Sequence, residues 1–81
     1  MDVHLEMTNA LNDFDVFIKL LNEKENSAAF GLLKRINLPL VGKYYKEKYP
    51  TDSKEMAIYN CANAMLDLLK LQDEYDKSKL H

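Results

Sequence analysis

The glycines and prolines of this chain, two of each, all lie in one stretch from Phe30 to Pro50. Because these residue types interrupt regular structure more strongly than any others, the segment on either side can form one long element. In both flanking segments the apolar residues recur at steps of three and four, the spacing of one face of an α-helix, and no run alternates as a strand does. The sequence therefore predicts an all-α fold, a small helical bundle in which two long helices flank a short helical hairpin.

The first long helix is predicted over residues 3–24. Its main apolar stripe, expected to face the core, consists of Val3, Met7, Ala10, Phe14, Phe17 and Leu21. Three further apolar residues, Leu5, Val16 and Leu20, project from the opposite side, with asparagines at positions 9 and 12 between them. Since a helix with apolar residues on two faces usually contacts two partners, these three residues are candidates for binding another protein.

The middle of the chain predicts two short helices, 27–36 and 39–49, with Asn26 or Ser27 as the cap of the first. The residue before a proline avoids helical geometry, whereas proline itself suits the first helical turn. Pro39 therefore indicates a break followed by a new helix, and Pro50 ends that helix. The result is a helical hairpin about half as long as its neighbours.

The last long helix is predicted over residues 53–77, after Asp52 and Glu55, whose spacing fits a capping box. Its central stripe, expected to lie in the core, consists of Ile58, Cys61, Ala62, Met65, Leu68 and Leu69. Because free cysteine is among the most buried residue types, Cys61 is predicted to be packed in the core. Apolar residues cover more of this helix than one short hairpin can easily bury. The remaining edge is a second candidate partner surface, and its members are Tyr59, Leu66 and Leu71.

Length and composition predict a single domain over residues 1–81. Nearly half of the residues are apolar and 30% are charged, as in ordinary globular proteins. The longest apolar run, residues 28–33, is far shorter than the roughly 20 residues that cross a bilayer, so no membrane partner is expected. One cysteine excludes an internal disulfide, and the acidic first residues do not resemble a secretory signal. These features predict a cytoplasmic protein.

The sequence contains no pattern typical of a catalytic or metal site. Its two histidines, His4 and His81, lie near the ends of the chain, where a preorganised base is least expected. No spacing of cysteine and histidine suits zinc, no glycine-rich loop could bind phosphate, and no serine lies in a nucleophile turn. We therefore expect no enzyme activity, no metal, no cofactor and no small-molecule substrate.

Charge is distributed unevenly along the chain. Residues 1–26 carry six acids and two lysines, residues 27–48 five bases and one acid, and residues 49–81 six acids and four lysines. The net charges of these segments are −4, +4 and −2, which give the total of −2. The basic middle could attract an acidic partner such as nucleic acid. The candidates for that role are Lys34, Arg35, Lys43, Lys46 and Lys48.

The basic middle also has a simpler interpretation. Its hairpin does not fit a helix-turn-helix, since lysines stand at 43 and 46, where that motif needs apolar residues. Lysine and arginine in the last turn of a helix complement the partial negative charge of its C-terminus. Helix stability can therefore explain most of the bases.

The sequence leads to one functional hypothesis and one alternative. The hypothesis is a small non-enzymatic protein-interaction module, a regulator, inhibitor or assembly factor that forms a homodimer or binds a host protein. Its size would suit a phage or mobile-element product. The alternative is a nucleic-acid-binding protein that uses the basic hairpin 34–48.

Overall fold

The computed structural model describes residues 3–79. Within that range the chain forms no strand and four helices, α1 (Val3–Asn22), α2 (Asn26–Leu33), α3 (Leu38–Lys48) and α4 (Lys54–Lys79). α1 packs on α2 and α3, and α4 packs on α3 and α2, so the hairpin separates the backbones of the two long helices. The predicted all-α bundle of two long helices around a short hairpin is confirmed. None of the described helices combines the length and the apolarity needed to cross a bilayer.

α1 ends two residues earlier than predicted because the chain makes a helix-terminating turn at Lys24. This residue adopts the left-handed conformation, with φ 62°. The Lys24 N–H donates to the Leu21 carbonyl at 3.0 Å and the Glu25 N–H to the Leu20 carbonyl at 2.9 Å. These two bonds form a Schellman motif, which satisfies carbonyls at the end of a helix. The turn is short, and it directs α2 back onto α1.

The hairpin follows the predicted break, with small differences in its boundaries. α2 ends at Leu33 and not at position 36, because the next residues form a tighter turn in which the Arg35 N–H donates to the Leu32 carbonyl at 2.8 Å. Pro39 occupies the first turn of α3, as predicted. Tyr49 is extended, with φ −117° and ψ 143°, as expected for a residue that precedes proline.

α4 begins with a serine cap. The Met56 N–H donates to the Ser53 Oγ at 3.2 Å, the bond that an N-cap side chain makes with the third helical residue. The capping residue is therefore Ser53, and the predicted role of Asp52 in a capping box was wrong by one position. α4 starts at Lys54, so Ser53, and not Asp52, stands directly before the first helical residue.

The core is centred on an aromatic cluster contributed by three helices. Phe14 of α1 is fully buried, and its ring centroid lies 5.8 Å from Phe17, 5.5 Å from Tyr45 and 6.5 Å from Tyr59. Tyr45 comes from α3 and Tyr59 from α4, so the cluster joins both long helices to the hairpin. The other buried apolar residues surround it, and they are Ala10, Ala29, Leu33, Ile36, Leu38, Val41, Met56 and Ala62.

We expect Tyr45 to ionise later than an ordinary tyrosine. Burial raises the pKa of its phenol, because a phenolate is poorly solvated in the core, and the carboxylate of Asp15 raises it further. A folded-state pKa above the unfolded value stabilises the protein fully below about pH 10, and this stabilisation is lost as the pH rises through the folded value. Alkaline absorbance titration of the wild type and of Tyr45→Phe tests this. The variant should lack a phenol that titrates above the ordinary tyrosine value, and loss of a phenol that titrates at or below that value would contradict the prediction.

Candidate functional site

The face that α4 turns to the core differs from the predicted one. Met56, Tyr59 and Ala62 are buried, whereas Cys61 and Leu68 are exposed. The helix is rotated by roughly a quarter of a turn relative to the prediction. The cause is the ring of Tyr59, which contacts Phe14 and Tyr45 in the aromatic cluster and contributes more apolar area than a cysteine does. The prediction that Cys61 lies in the core was therefore wrong.

This rotation leaves a line of apolar residues on the outside of α4. All of its members are exposed, and we call them the α4 stripe: Ala57, Cys61, Ala64, Leu68, Leu71 and Tyr75. Leu68 is 66% exposed and Leu71 60% exposed. Successive members are separated by four, three, four, three and four residues. That alternation is the spacing of the apolar seam of a coiled coil.

An apolar groove lies beside the first half of the α4 stripe. It has a volume of about 310 Å³ and runs between the end of α1 and the start of α4. Phe17 and Leu21 contribute from α1, Ile58 from α4, and Ala57 and Cys61 belong to both the groove and the stripe. Because the hairpin separates the two long helices, their side chains do not close this space. Groove and stripe therefore form one continuous apolar surface.

The structure distributes the six predicted partner residues over three environments. Leu5, Val16 and Leu71 are exposed. Leu20 and Leu66 are half-buried and pack against the core. Tyr59 is only 7% exposed, so its assignment to an outer edge was wrong.

The exposed residues of α1 do not form a continuous patch. Leu5 and Val16 are eleven residues apart, or about 16 Å along a helix. Only exposed polar positions, among them Asn9 and Asn12, separate them on that side. Leu71 of the α4 stripe is thus the predicted partner residue that lies within a larger apolar surface.

The basic residues of the hairpin face different neighbours. The Nζ atom of Lys34 lies 3.2 Å from the Oδ2 atom of Asp73 on α4. Arg35 shares a shallow pocket with Glu6 and Asp13 of α1, and the Nζ atom of Lys48 lies 5.3 Å from the ring centre of Tyr44. The remaining two, Lys43 and Lys46, are exposed on α3. Two of the five bases therefore have acidic residues near them, and the other three are exposed on α3.

No group of three or more histidine, cysteine, aspartate or glutamate side chains within residues 4–78 is arranged to hold a metal ion. His81 lies outside the described residues, and His4 is exposed on α1.

Comparison of the chain with protein-family models, with curated proteins and with solved structures gave no significant match. The α4 stripe and the adjoining groove together form an apolar surface on the described part of the chain.

Proposed function

We propose that this chain is a small non-enzymatic protein-interaction module that binds through the α4 stripe. The observation that carries the proposal is the exposure of Leu68 and Leu71 on one helix at coiled-coil spacing. Each leucine side chain that moves from water into an interface contributes about 1.5 to 3 kcal/mol. A helix that presents such a seam to solvent has the pattern of one that pairs with another helix.

The total surface of the chain supports the same proposal. A compact monomer of 9.4 kDa is expected to expose about 5,000 Å². This chain exposes 6107 Å², an excess of about 1,100 Å² over that expectation. A standard interface covers about 800 Å² on each partner. The excess is therefore of the size that one partner would cover.

A protein of this kind would act as a regulator, inhibitor or assembly factor. We also propose that it is cytoplasmic, because a free exposed thiol such as Cys61 stays reduced there. Nucleic-acid binding by the hairpin has weaker support. Lys34 pairs with Asp73, and Arg35 lines a pocket together with Glu6 and Asp13, so two of the five bases have acidic side chains near them, which weakens their attraction for phosphate.

The proposed function can be tested by placing charge on the stripe. We expect Leu68→Asp combined with Leu71→Asp to weaken association at least about tenfold, which corresponds to about 1.4 kcal/mol, since both carboxylates would be desolvated in the interface. Association would be measured by sedimentation from low to high micromolar concentration and by affinity capture from cell extract. Circular dichroism would show that the variant remains helical, because both leucines are exposed in the monomer.

The matched control is Leu5→Asp combined with Val16→Asp, two exposed apolar residues that lie outside the α4 stripe. This variant should associate as the wild type does. The proposed function would be wrong if the wild type did not self-associate and also captured no protein from the extract that the stripe variant fails to capture. It would also be wrong if the α1 variant alone lost association.

A further inference from the structure

We infer that the partner on the α4 stripe is a second copy of this chain, whose own α4 packs against it in the antiparallel direction. This inference rests on the proposed function, because it names the partner for the same surface. The two helices would be related by a twofold axis that passes close to position 66. Such an interface is isologous, so that each residue pair occurs twice.

The sizes of the stripe residues are complementary only in the antiparallel arrangement. The first half of the stripe is small, with Ala57, Cys61 and Ala64, and the second half is large. The spacing of four, three, four, three and four residues is symmetric about position 66. Antiparallel packing therefore forms three kinds of layer, each with one small and one large residue. These pairs are Ala57 with Tyr75, Cys61 with Leu71, and Ala64 with Leu68.

A parallel pairing would match each residue with its own copy. Two alanines at position 57 or 64 would leave a layer underfilled, whereas two tyrosines at position 75 would force the helices apart. Packed interiors tolerate neither voids nor excess volume without cost. The antiparallel layers have nearly equal volume along the whole seam, so the helix axes can remain at one separation.

The charges on α4 favour the same direction. Residues 66–78 carry four acids and two lysines, a net charge of −2, whereas residues 53–65 carry one lysine and one acid. Antiparallel packing places the acidic half of each α4 beside the neutral first half of the other, whose helix N-terminus has partial positive charge. Parallel packing would place the two acidic halves together. Asp67 is the one acid that the twofold axis brings near its own copy, and it is exposed, so that water and salt screen it.

The surface beside the stripe completes the fit. Ile58 and Met65 line the groove and lie on the flank of the seam that a partner helix would cover. With them, the interface includes both the stripe and the edge of the groove. The excess surface of about 1,100 Å² is enough for one partner's share of a standard interface.

Disulfide trapping tests the inference, because the antiparallel layers place Cys61 opposite position 71 of the other copy. We expect Leu71→Cys to give a covalent dimer under mild oxidation at least about tenfold faster than the controls do. The controls are the wild type and Leu71→Cys combined with Cys61→Ala. Each control has one cysteine per chain, and antiparallel packing separates the two copies of that cysteine by ten residues along the helices. That offset is about 15 Å along the helix, beyond the limit of about 7 Å for a disulfide.

A second pair of positions makes the test independent of one substitution. In the Cys61→Ala background, Ala57→Cys combined with Tyr75→Cys should also trap the dimer, and neither single cysteine should. Rapid crosslinking of the wild type would overturn the antiparallel direction, because it would place the two Cys61 residues together. A sedimenting dimer that neither designed pair traps would overturn it as well.

The outcomes also separate this inference from the proposed function. If the wild type stays monomeric at several hundred micromolar, the inference that the partner is a second copy of this chain is wrong. If that monomer still captures another protein, and Leu68→Asp with Leu71→Asp abolishes the capture, the proposed function stands. If the stripe substitutions change neither self-association nor capture, both proposals fail.

Discussion

Replacing Phe14 by alanine is expected to lower the free energy of unfolding by about 3 to 5 kcal/mol. Its side chain is fully buried, and its ring contacts Phe17, Tyr45 and Tyr59 from three helices. The substitution would leave a cavity at the point where α1, α3 and α4 meet. An 81-residue chain is expected to have a total stability of about 4 to 12 kcal/mol. The variant should therefore lose a large part of its stability, which urea unfolding followed by circular dichroism would measure.

Phe30→Ala is the matched control for this prediction. Phe30 is also a helical phenylalanine, but it is half-buried and lies on α2 outside the aromatic cluster. We expect it to cost less than half as much as Phe14→Ala, because less apolar area is lost. Phe14→Leu should recover most of the loss, since it retains most of the volume. Equal costs for the two alanine variants would show that the cluster is not the centre of stability.

Replacing Gly42 by valine is expected to destabilise the protein by about 3 kcal/mol. Gly42 is buried in α3 against the ring of Tyr59, and a Cβ atom there would overlap the hydroxyl and lie 2.6 Å from the Cζ atom of that ring. The ring cannot move freely, because it is buried and contacts Phe14 and Tyr45. Glycine at this position thus allows α3 and α4 to approach closely.

Gly31→Val makes the same chemical change where there is space. Apart from its chain neighbours and the backbone of its own helix, nothing lies within 4 Å of the Cβ position at Gly31, so the effect of the substitution should stay within about 0.5 kcal/mol of the wild type. Thermal and urea unfolding of both variants would measure the difference. In a Tyr59→Ala background the cost of Gly42→Val should fall, because the ring that it overlaps is gone. An unchanged cost in that background would contradict the proposed contact.

The sequence predicts the positions of both long helices and the buried face of α1, but not the buried face of α4, for a physical reason. α1 has one dense apolar stripe with Phe14 and Phe17 at its centre, and both are buried. α4 has apolar residues around most of its circumference, so that several rotations bury a similar area. Its rotation is decided by the contact of Tyr59 with Phe14 and Tyr45. That contact joins residues far apart in the chain, and periodicity does not report it.

The same rotation explains which functional residues the sequence could indicate. The sequence predicts Leu71 as a partner residue, whereas it predicts Cys61 and Leu68 as core residues. The alternating spacing of the α4 stripe is present in the sequence, but its members cannot be told from core residues until the rotation is known. The ion pair of Lys34 with Asp73 could not be foreseen either, because it joins residues 39 positions apart.

The C-terminal part of α4 has a consequence for local stability. Asp73 pairs with Lys34, the residue that follows α2, and every described side chain from position 71 through Ser78 is exposed. Short helical segments that rely on their own backbone hydrogen bonds are marginal in water. Amide hydrogen exchange should therefore become faster along α4 after Asp73, well before the helix as a whole unfolds. A partner that covers Leu71 and Tyr75 would slow the local unfolding of this segment. Binding of the partner and full formation of α4 would then be coupled.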